Sequence, residues 1–239
     1  MGMIFDGRRF ADKIAEELRV EVAKLSRKPK LVTIVDQDNP ASVAYTKLKA
    51  EMAKRLGIEF EINDLKSKIK NLSLDNTVDG VLLQLPYPNS DELIRLIDPK
   101  KDVDGLRGDS PYKPAVVRAV LEILKNSPRG EVVVVGSKGF VGSRLMKEIP
   151  GAMGMDKGDF DLLALLKADV IISATGRVGL IKPEMVKDGV VAIDVGYPKG
   201  DFDPSTALRA SFFTPVPGGV GPVTVVMLFK NLVDAVSFE

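Results

Sequence analysis

The sequence predicts an α/β protein of two α/β domains flanking a cleft, and three observations carry that prediction. Apolar, β-branched runs alternate with helical patterns along the chain, as in β-α-β units with a mostly parallel sheet. These runs fall into two sets that meet near residue 114. In the second set a glycine-punctuated turn joins a buried strand to a helix, a device that lets backbone approach a ligand.

A helical pattern runs from Arg8 to Arg27. "KLVTIVDQD" follows as a strand. Next comes "ASVAYTKLKAEMAKRLGI", Ala41 to Ile58, with Asn39 as N-cap, Pro40 at the first helical position and Gly57 as the stop. At roughly 100° per residue, Tyr45, Leu48, Met52 and Leu56 fall within about 80° of arc and form the expected buried stripe. Lys49 falls inside that stripe. A core-facing lysine costs several kcal/mol unless it is paired, neutralised or set in a cavity, or unless its stem lies along the core edge and its ammonium reaches water. The helix alone leaves these readings open.

"IEFEIND" reads as the next strand and "VDGVLLQLPYP" as a third, with a polar stretch between them. "SDELIRLID" reads as a short helix capped by Ser90. "PAVVRAVLEILKN" is a helix leading into the second set of strands: "EVVVVG", "GAMGM", "ADVIISATG" and "VVAIDVG". A Gly/Pro-rich loop, "TPVPGGVGPVT", and a closing helix, "VTVVMLFKNLVDAV", complete the chain. The loop's three prolines and three glycines fix a shape that ordinary linkers do not need, which points to a rigid loop over a ligand.

Composition narrows the chemistry. With 239 residues, 45% hydrophobic and 28% charged, the chain can bury real cores. Lys and Arg total 34 against 33 for Asp and Glu, so the balance gives nucleic acid no basic surface to bind. No apolar run is read as a membrane span and no signal segment is read at the N-terminus, so the expectation is a cytoplasmic protein without a membrane partner. Asp6 stands where a myristoylation pattern wants Ser or Thr. Cysteine and histidine are both absent. Disulfides, thiol nucleophiles, Ser-His-Asp chemistry and the usual zinc sites go with them, and no metal is expected. Proton transfer in such a chain must use Lys, Asp, Glu, Tyr or water, and a lysine with a pKa lowered by apolar surroundings suits that work.

"EVVVVGSKGFVGSRLMKEI" places Gly136, Gly139 and Gly142 between a strand and a helix. The order fits a Rossmann-type dinucleotide-binding domain, although G-x-x-G-x-x-G replaces the stricter G-x-G-x-x-G. Asp156 follows "GAMGM" about 20 residues after Gly136, where an acid would hydrogen-bond a ribose 2′-OH and repel a 2′-phosphate. Ser137, Lys138 and Arg144 lie near the same turn and suit a phosphate instead. The sequence therefore argues for NAD and for NADP at once. "DVDG", Asp102 to Gly105, places two carboxylates two residues apart beside a glycine and reads on its own as a solvated turn or an Asx-type cap, with a pair of working carboxylates as the other reading. Gln84 is a polar residue in an apolar strand, bonded either to backbone or to a ligand.

Together these pieces resemble one family over nearly the whole chain, the bifunctional methylenetetrahydrofolate dehydrogenase/methenyltetrahydrofolate cyclohydrolases. The family's S-x-x-Y-x-x-x-K stands here as Ser42, Tyr45 and Lys49, its Q-L-P-x-P as Gln84 to Pro88, its K-D-V-D-G as Lys101 to Gly105, and its P-G-G-V-G-P-x-T as Pro217 to Thr224. The resemblance implies that Lys49 is the general acid/base, that Tyr45 lies against the folate ring, that Gln84 positions or tunes Lys49, and that Asp104 hydrogen-bonds the pterin. It implies substrate contacts at Ser42, Leu83, Leu85, Pro217, Gly218, Gly219, Val220 and Gly221. Cofactor contacts are implied at Gly136, Ser137, Lys138, Gly142, Arg144, Asp156, Thr175, Gly176, Tyr197 and Thr224. The cofactor expected is NADP, with NAD as the alternative, and the partners expected are tetrahydrofolate substrates and a second copy of the chain in a homodimer built through the cofactor domain. The domains expected are 1–113 with 218–239 for folate catalysis and 114–217 for NAD(P).

Three departures stand out. The family's P-C-T-P reads Pro111, Tyr112, Lys113, Pro114, without cysteine. The loop from Gly105 to Pro111 is shorter than the family's. Ser137 and Lys138 replace the Arg and Ser that the family associates with the 2′-phosphate. The expected activity is oxidation of 5,10-methylenetetrahydrofolate to the methenyl form and hydrolysis of that product to 10-formyltetrahydrofolate. The alternatives are a dehydrogenase without the hydrolytic step and a non-enzymatic dinucleotide- or folate-binding module.

Overall fold

A computed structural model describes residues 2–63 and 68–237. In chain order the elements are β1 (Met3–Ile4), α1 (Gly7–Val22), β2 (Lys30–Ile34), α2 (Pro40–Leu56), β3 (Glu59–Asn63), α3 (Ile69–Leu74), β4 (Gly80–Leu83), α4 (Ser90–Arg95), α5 (Ala115–Lys125), β5 (Val132–Val135), α6 (Phe140–Glu148), β6 (Met153–Met155), α7 (Leu162–Lys167), β7 (Val170–Ser173), β8 (Val190–Asp194), β9 (Ala210–Phe213) and α8 (Val220–Ser237). They form two compact units, Met1–Phe10 with Val116–Thr224, and Ala11–Ala115 with Val225–Glu239.

The second of these units holds a parallel sheet in the order β3-β2-β4. Alternation along β2 and β4 sends Val32, Ile34, Val81 and Leu83 to one face, where they pack with Ile69, Val78 and Ile97. On the other face Gly80 leaves room for its neighbours: a Cβ there would come 2.8 Å from Leu232, 2.9 Å from Val103 and 3.0 Å from Leu31. The absent side chain lets α8 and the "DVDG" segment close on the sheet.

The other unit holds a parallel sheet in the order β1-β9-β8-β7-β5-β6. β7 and β8 are buried along their whole length and are apolar up to their last residues, Ser173 and Asp194, because both faces are covered. Val133, Val135, Ile171, Ala192 and Phe213 pack on one face with Leu165, Ile181 and Phe202.

Several elements depart from the sequence reading. β1 pairs with β9, so residues 1–10 belong with the six-stranded sheet rather than with the first expected domain. This unit also runs on to Thr224, past the expected boundary at 217. α3, α7 and β9 are short and lie outside the pattern; α7 is opened by Asp161, which accepts the Leu163 and Ala164 N–H groups. α4 is preceded by Asn89 in the left-handed region at φ 55° with no side-chain cap, so Ser90 is its first helical residue and not its cap. Asp64, the last residue of the expected "IEFEIND" strand, lies outside the described residues. Part of the Gly/Pro loop is helical, since α8 begins at Val220. By length and hydropathy α8 meets the criteria for a membrane span, contrary to the sequence expectation, yet 56% of it is buried in the protein, as in a core helix.

Candidate active site

α2 forms as its caps predict. Asn39 accepts the Ser42 N–H, Pro40 opens the helix, and Gly57 ends it in the left-handed region at φ 76°. Its buried side is rotated from the expected stripe. Leu48 is 53% exposed, while Ser42, Thr46, Lys49, Ala53 and Leu56 are buried. The buried face is thus polar over its first half, and the hydroxyls of Ser42, Thr46 and the β2 residue Thr33 have no hydrogen-bond partner among the described residues.

Lys49 is 5% exposed. Its Nζ donates to Gln84 Oε1 at 2.8 Å and lies 5.1 Å from the centre of the Tyr45 ring. Gln84 directly follows β4 instead of sitting within it; its backbone N–H donates to Ile34 O, and its Nε2 donates to Leu85 O at 2.7 Å. Burial holds the Lys49 ammonium below the ordinary lysine range, and the Asp104 carboxylate pulls in the opposite direction. The same burial raises Asp104, and Lys49 opposes it. A lysine made easier to deprotonate beside a carboxylate made harder to ionise is a pair fitted to moving a proton.

The segment that carries Asp104 is held from three directions. The side chain of Asp102, 1% exposed, accepts the N–H groups of Leu106 and Arg107, and burial raises its pKa to about 6. The Ala115 N–H donates to Asp104 O. Asn231 on α8 donates to Val103 O at 2.8 Å and to Lys113 O at 2.9 Å, bracketing the segment. Tyr112, at the family's cysteine position, donates its hydroxyl to Lys100 O. Asn231 escaped the sequence reading; its signal was one amide within the apolar run of α8.

The other substrate-assigned residues divide. Leu85 is 40% exposed, whereas the Leu83 side chain packs in the sheet core. Pro217, Gly218 and Gly219 belong to the unit with the six-stranded sheet, as do Val220 and Gly221. Gly218 has φ 106°, its carbonyl accepts the Gly7 N–H, and a Cβ on Gly219 would come 2.6 Å from Pro215 O. Close backbone packing accounts for Gly219, and the left-handed backbone accounts for Gly218.

The glycine-rich turn has the shape a dinucleotide needs. Gly136 has φ 86°, and its N–H and that of Ser137 donate to Met155 O. A Cβ on Gly142 would come 2.1 Å from Gly136 O, so only glycine allows α6 to pack on the turn. Gly139 caps α6 and leaves the helix's first N–H groups to a ligand. Asp156 lies beside this turn, accepting the Lys138 N–H at 2.9 Å. Thr175 and Gly176 follow β7, where the fully buried Asp201 accepts the Thr175 N–H and the Ser173 hydroxyl. Tyr197 is 62% exposed and Thr224 donates to Val220 O within α8.

The chain matches two family descriptions in tandem. Residues 5–104 match the tetrahydrofolate dehydrogenase/cyclohydrolase catalytic domain, and residues 111–239 match the tetrahydrofolate dehydrogenase/cyclohydrolase NAD(P)-binding domain. It is 38% identical to the bifunctional protein FolD of Hydrogenobaculum sp., over 97% of this chain and 98% of that one. The bifunctional FolD methylenetetrahydrofolate dehydrogenase/cyclohydrolase of Campylobacter jejuni superposes with a TM-score of 0.90 at 31% identity, over 100% of this chain and 99% of that one. The Trypanosoma brucei dehydrogenase-cyclohydrolase, solved with NADP cofactor and inhibitor, superposes with a TM-score of 0.86 at 28% identity, over 99% and 98% of the two chains.

Proposed function

The chain belongs to the tetrahydrofolate dehydrogenase/cyclohydrolase family, and from that premise we propose how its residues divide the work. It is a bifunctional one-carbon folate enzyme. It oxidises 5,10-methylenetetrahydrofolate to 5,10-methenyltetrahydrofolate with NADP and then hydrolyses the product to 10-formyltetrahydrofolate. The observation that carries this reading is the buried Lys49, hydrogen-bonded to Gln84 at 2.8 Å and coupled to Asp104.

Folate chemistry is assigned to the unit with the three-stranded sheet and cofactor binding to the unit with the six-stranded sheet. NADP supplies a hydride acceptor when bound, and the glycine cradle at Gly136, Gly139 and Gly142 fits its pyrophosphate. Tyr45 stacks on the folate ring, with Lys49 one helical turn away on the same face. Asp104 hydrogen-bonds the pterin and, being raised by burial, is able to donate as well as accept. Gln84 fixes the Lys49 amine through Oε1, because its Nε2 is spent on Leu85 O.

In the hydrolytic step water adds to the cationic methenyl carbon and loses a proton, and the carbon then parts from one ring nitrogen, which gains a proton. Lys49, as the free amine, takes the first proton and returns it for the second. Burial supports this role by favouring the uncharged amine before reaction. We also assign the chain to the cytoplasm and to a homodimer built through the cofactor unit. The dimer is supported by the exposed apolar residues Met153, Phe160, Leu162 and Leu163 on and after the edge strand β6.

A spectrophotometric assay with 5,10-methylenetetrahydrofolate and NADP or NAD tests the reading. Methenyl product that forms and then decays faster than in buffer is expected. Accumulation without decay would replace it with a dehydrogenase alone, and no turnover with either cofactor would replace it with a binding module.

A further inference from the structure

The turn after β6 carries an aspartate that the sequence patterns did not single out. Asp159 Oδ2 lies 2.8 Å from Lys138 Nζ, and its Oδ1 accepts the Asp156 N–H at 2.6 Å. Asp156 in turn accepts the Lys138 N–H at 2.9 Å and the Lys157 N–H at 2.8 Å. Beside the glycine-rich turn, then, one carboxylate fixes the backbone of Lys138 while a second holds its ammonium. Arg144, the other cation suited to a phosphate, is folded over the Phe140 ring, 3.6 Å from its centre, and donates to Phe140 O.

A nucleotide with a ribose 2′-OH needs only an acceptor at this place, and both aspartates are acceptors. A 2′-phosphate brings close to two negative charges and needs cations. Here it meets Lys138, already paired with Asp159, and two carboxylates that repel it. We propose that Asp159 is a specificity-determining residue of the cofactor site: by engaging Lys138 it withholds that ammonium from a 2′-phosphate and narrows the advantage of NADP over NAD. The inference rests on the dinucleotide reading of this unit. Asp159 is half-exposed and acts from the surface, so its replacement leaves the packing of the sheet untouched.

Calorimetric titration of the unliganded protein with 2′,5′-ADP and 5′-ADP, and with NADP and NAD, tests it without turnover. Asp159→Asn is expected to tighten 2′,5′-ADP and NADP by about fivefold and to leave 5′-ADP and NAD within about twofold. In the double variant Asp159→Asn/Lys138→Ala most of that gain should vanish, because the freed ammonium supplies the larger part of it and relief of the carboxylate's repulsion the rest. An equal change for both nucleotide classes, no change, or a gain that survives loss of Lys138 undiminished would each overturn the proposal while leaving the dinucleotide site standing. Failure of the wild-type chain to bind either NADP or NAD would overturn the site itself, and the proposal with it.

Discussion

Lys49 Nζ donates to Gln84 Oε1 at 2.8 Å while the same amide's Nε2 donates to Leu85 O at 2.7 Å. Both ends of the Gln84 amide are therefore committed, and the amine is aimed by a group that cannot flip without losing a bond. Replacing Lys49 with Met keeps the volume and removes both the cation and its desolvation cost. Hydrolytic turnover should fall by at least about 10²-fold, while the stability read from urea unfolding stays within about 1 kcal/mol of wild type. Full hydrolytic turnover in that variant would refute the role given to the lysine.

Asp104 raises the Lys49 pKa against the lowering effect of burial. Hydrolysis that needs the free amine gains rate as pH rises through that pKa. Asp104→Asn removes the attraction and should move the rising limb of the residual rate to lower pH. A limb at the wild-type position would mean that the two groups are not coupled.

Asp102 offers a stability test with a defined window. Its carboxyl goes from an ordinary 3.8 up to about 6 in the fold, chiefly through burial. The folded protein thus holds this proton more tightly than the unfolded chain, so the contribution is full below about pH 4 and is lost as pH rises through about 6. Asp102→Asn carries no charge at any of these pH values. Relative to wild type its stability should climb between pH 4 and 7 by on the order of 3 kcal/mol, read from urea midpoints. Parallel curves for the two proteins would show that the carboxyl is not raised.

Asn231→Ala tests the support behind Asp104. It strips Val103 O and Lys113 O of their donor in a buried setting, which costs about 1–3 kcal/mol for each acceptor left bare. Binding of the folate substrate should weaken through the displaced segment, seen as a higher KM. Unfolding midpoints and KM values equal to wild type would remove Asn231 from this role.

Much of this could be read in the chain before the fold was known, and the rest had identifiable reasons to be hidden. The caps of α2 at Asn39 and Gly57 are local chemistry and stand where expected. The buried stripe of α2 was misjudged because apolar character marks the inward side only where the helix faces an apolar core; here Ser42, Thr46 and Lys49 turn inward and Leu48 turns out. β1 is two residues long, and its partner β9 lies about 200 residues away, so no window along the sequence contains the pair. The hold of Asp159 on Lys138 spans 21 residues and depends on how two turns meet.

The inward-facing Lys49 also bears on how the protein would respond to electrophiles. Lys30 and Lys138 are held in the ammonium form by carboxylate neighbours, whereas Lys49 is biased toward a free lone pair. With neither cysteine nor histidine in the chain, the usual softer targets of such reagents are missing. A small uncharged acylating agent that reaches it therefore finds at Lys49 a lysine amine biased toward reaction, and under the role proposed for that amine a single covalent label there would act as an inactivation tag.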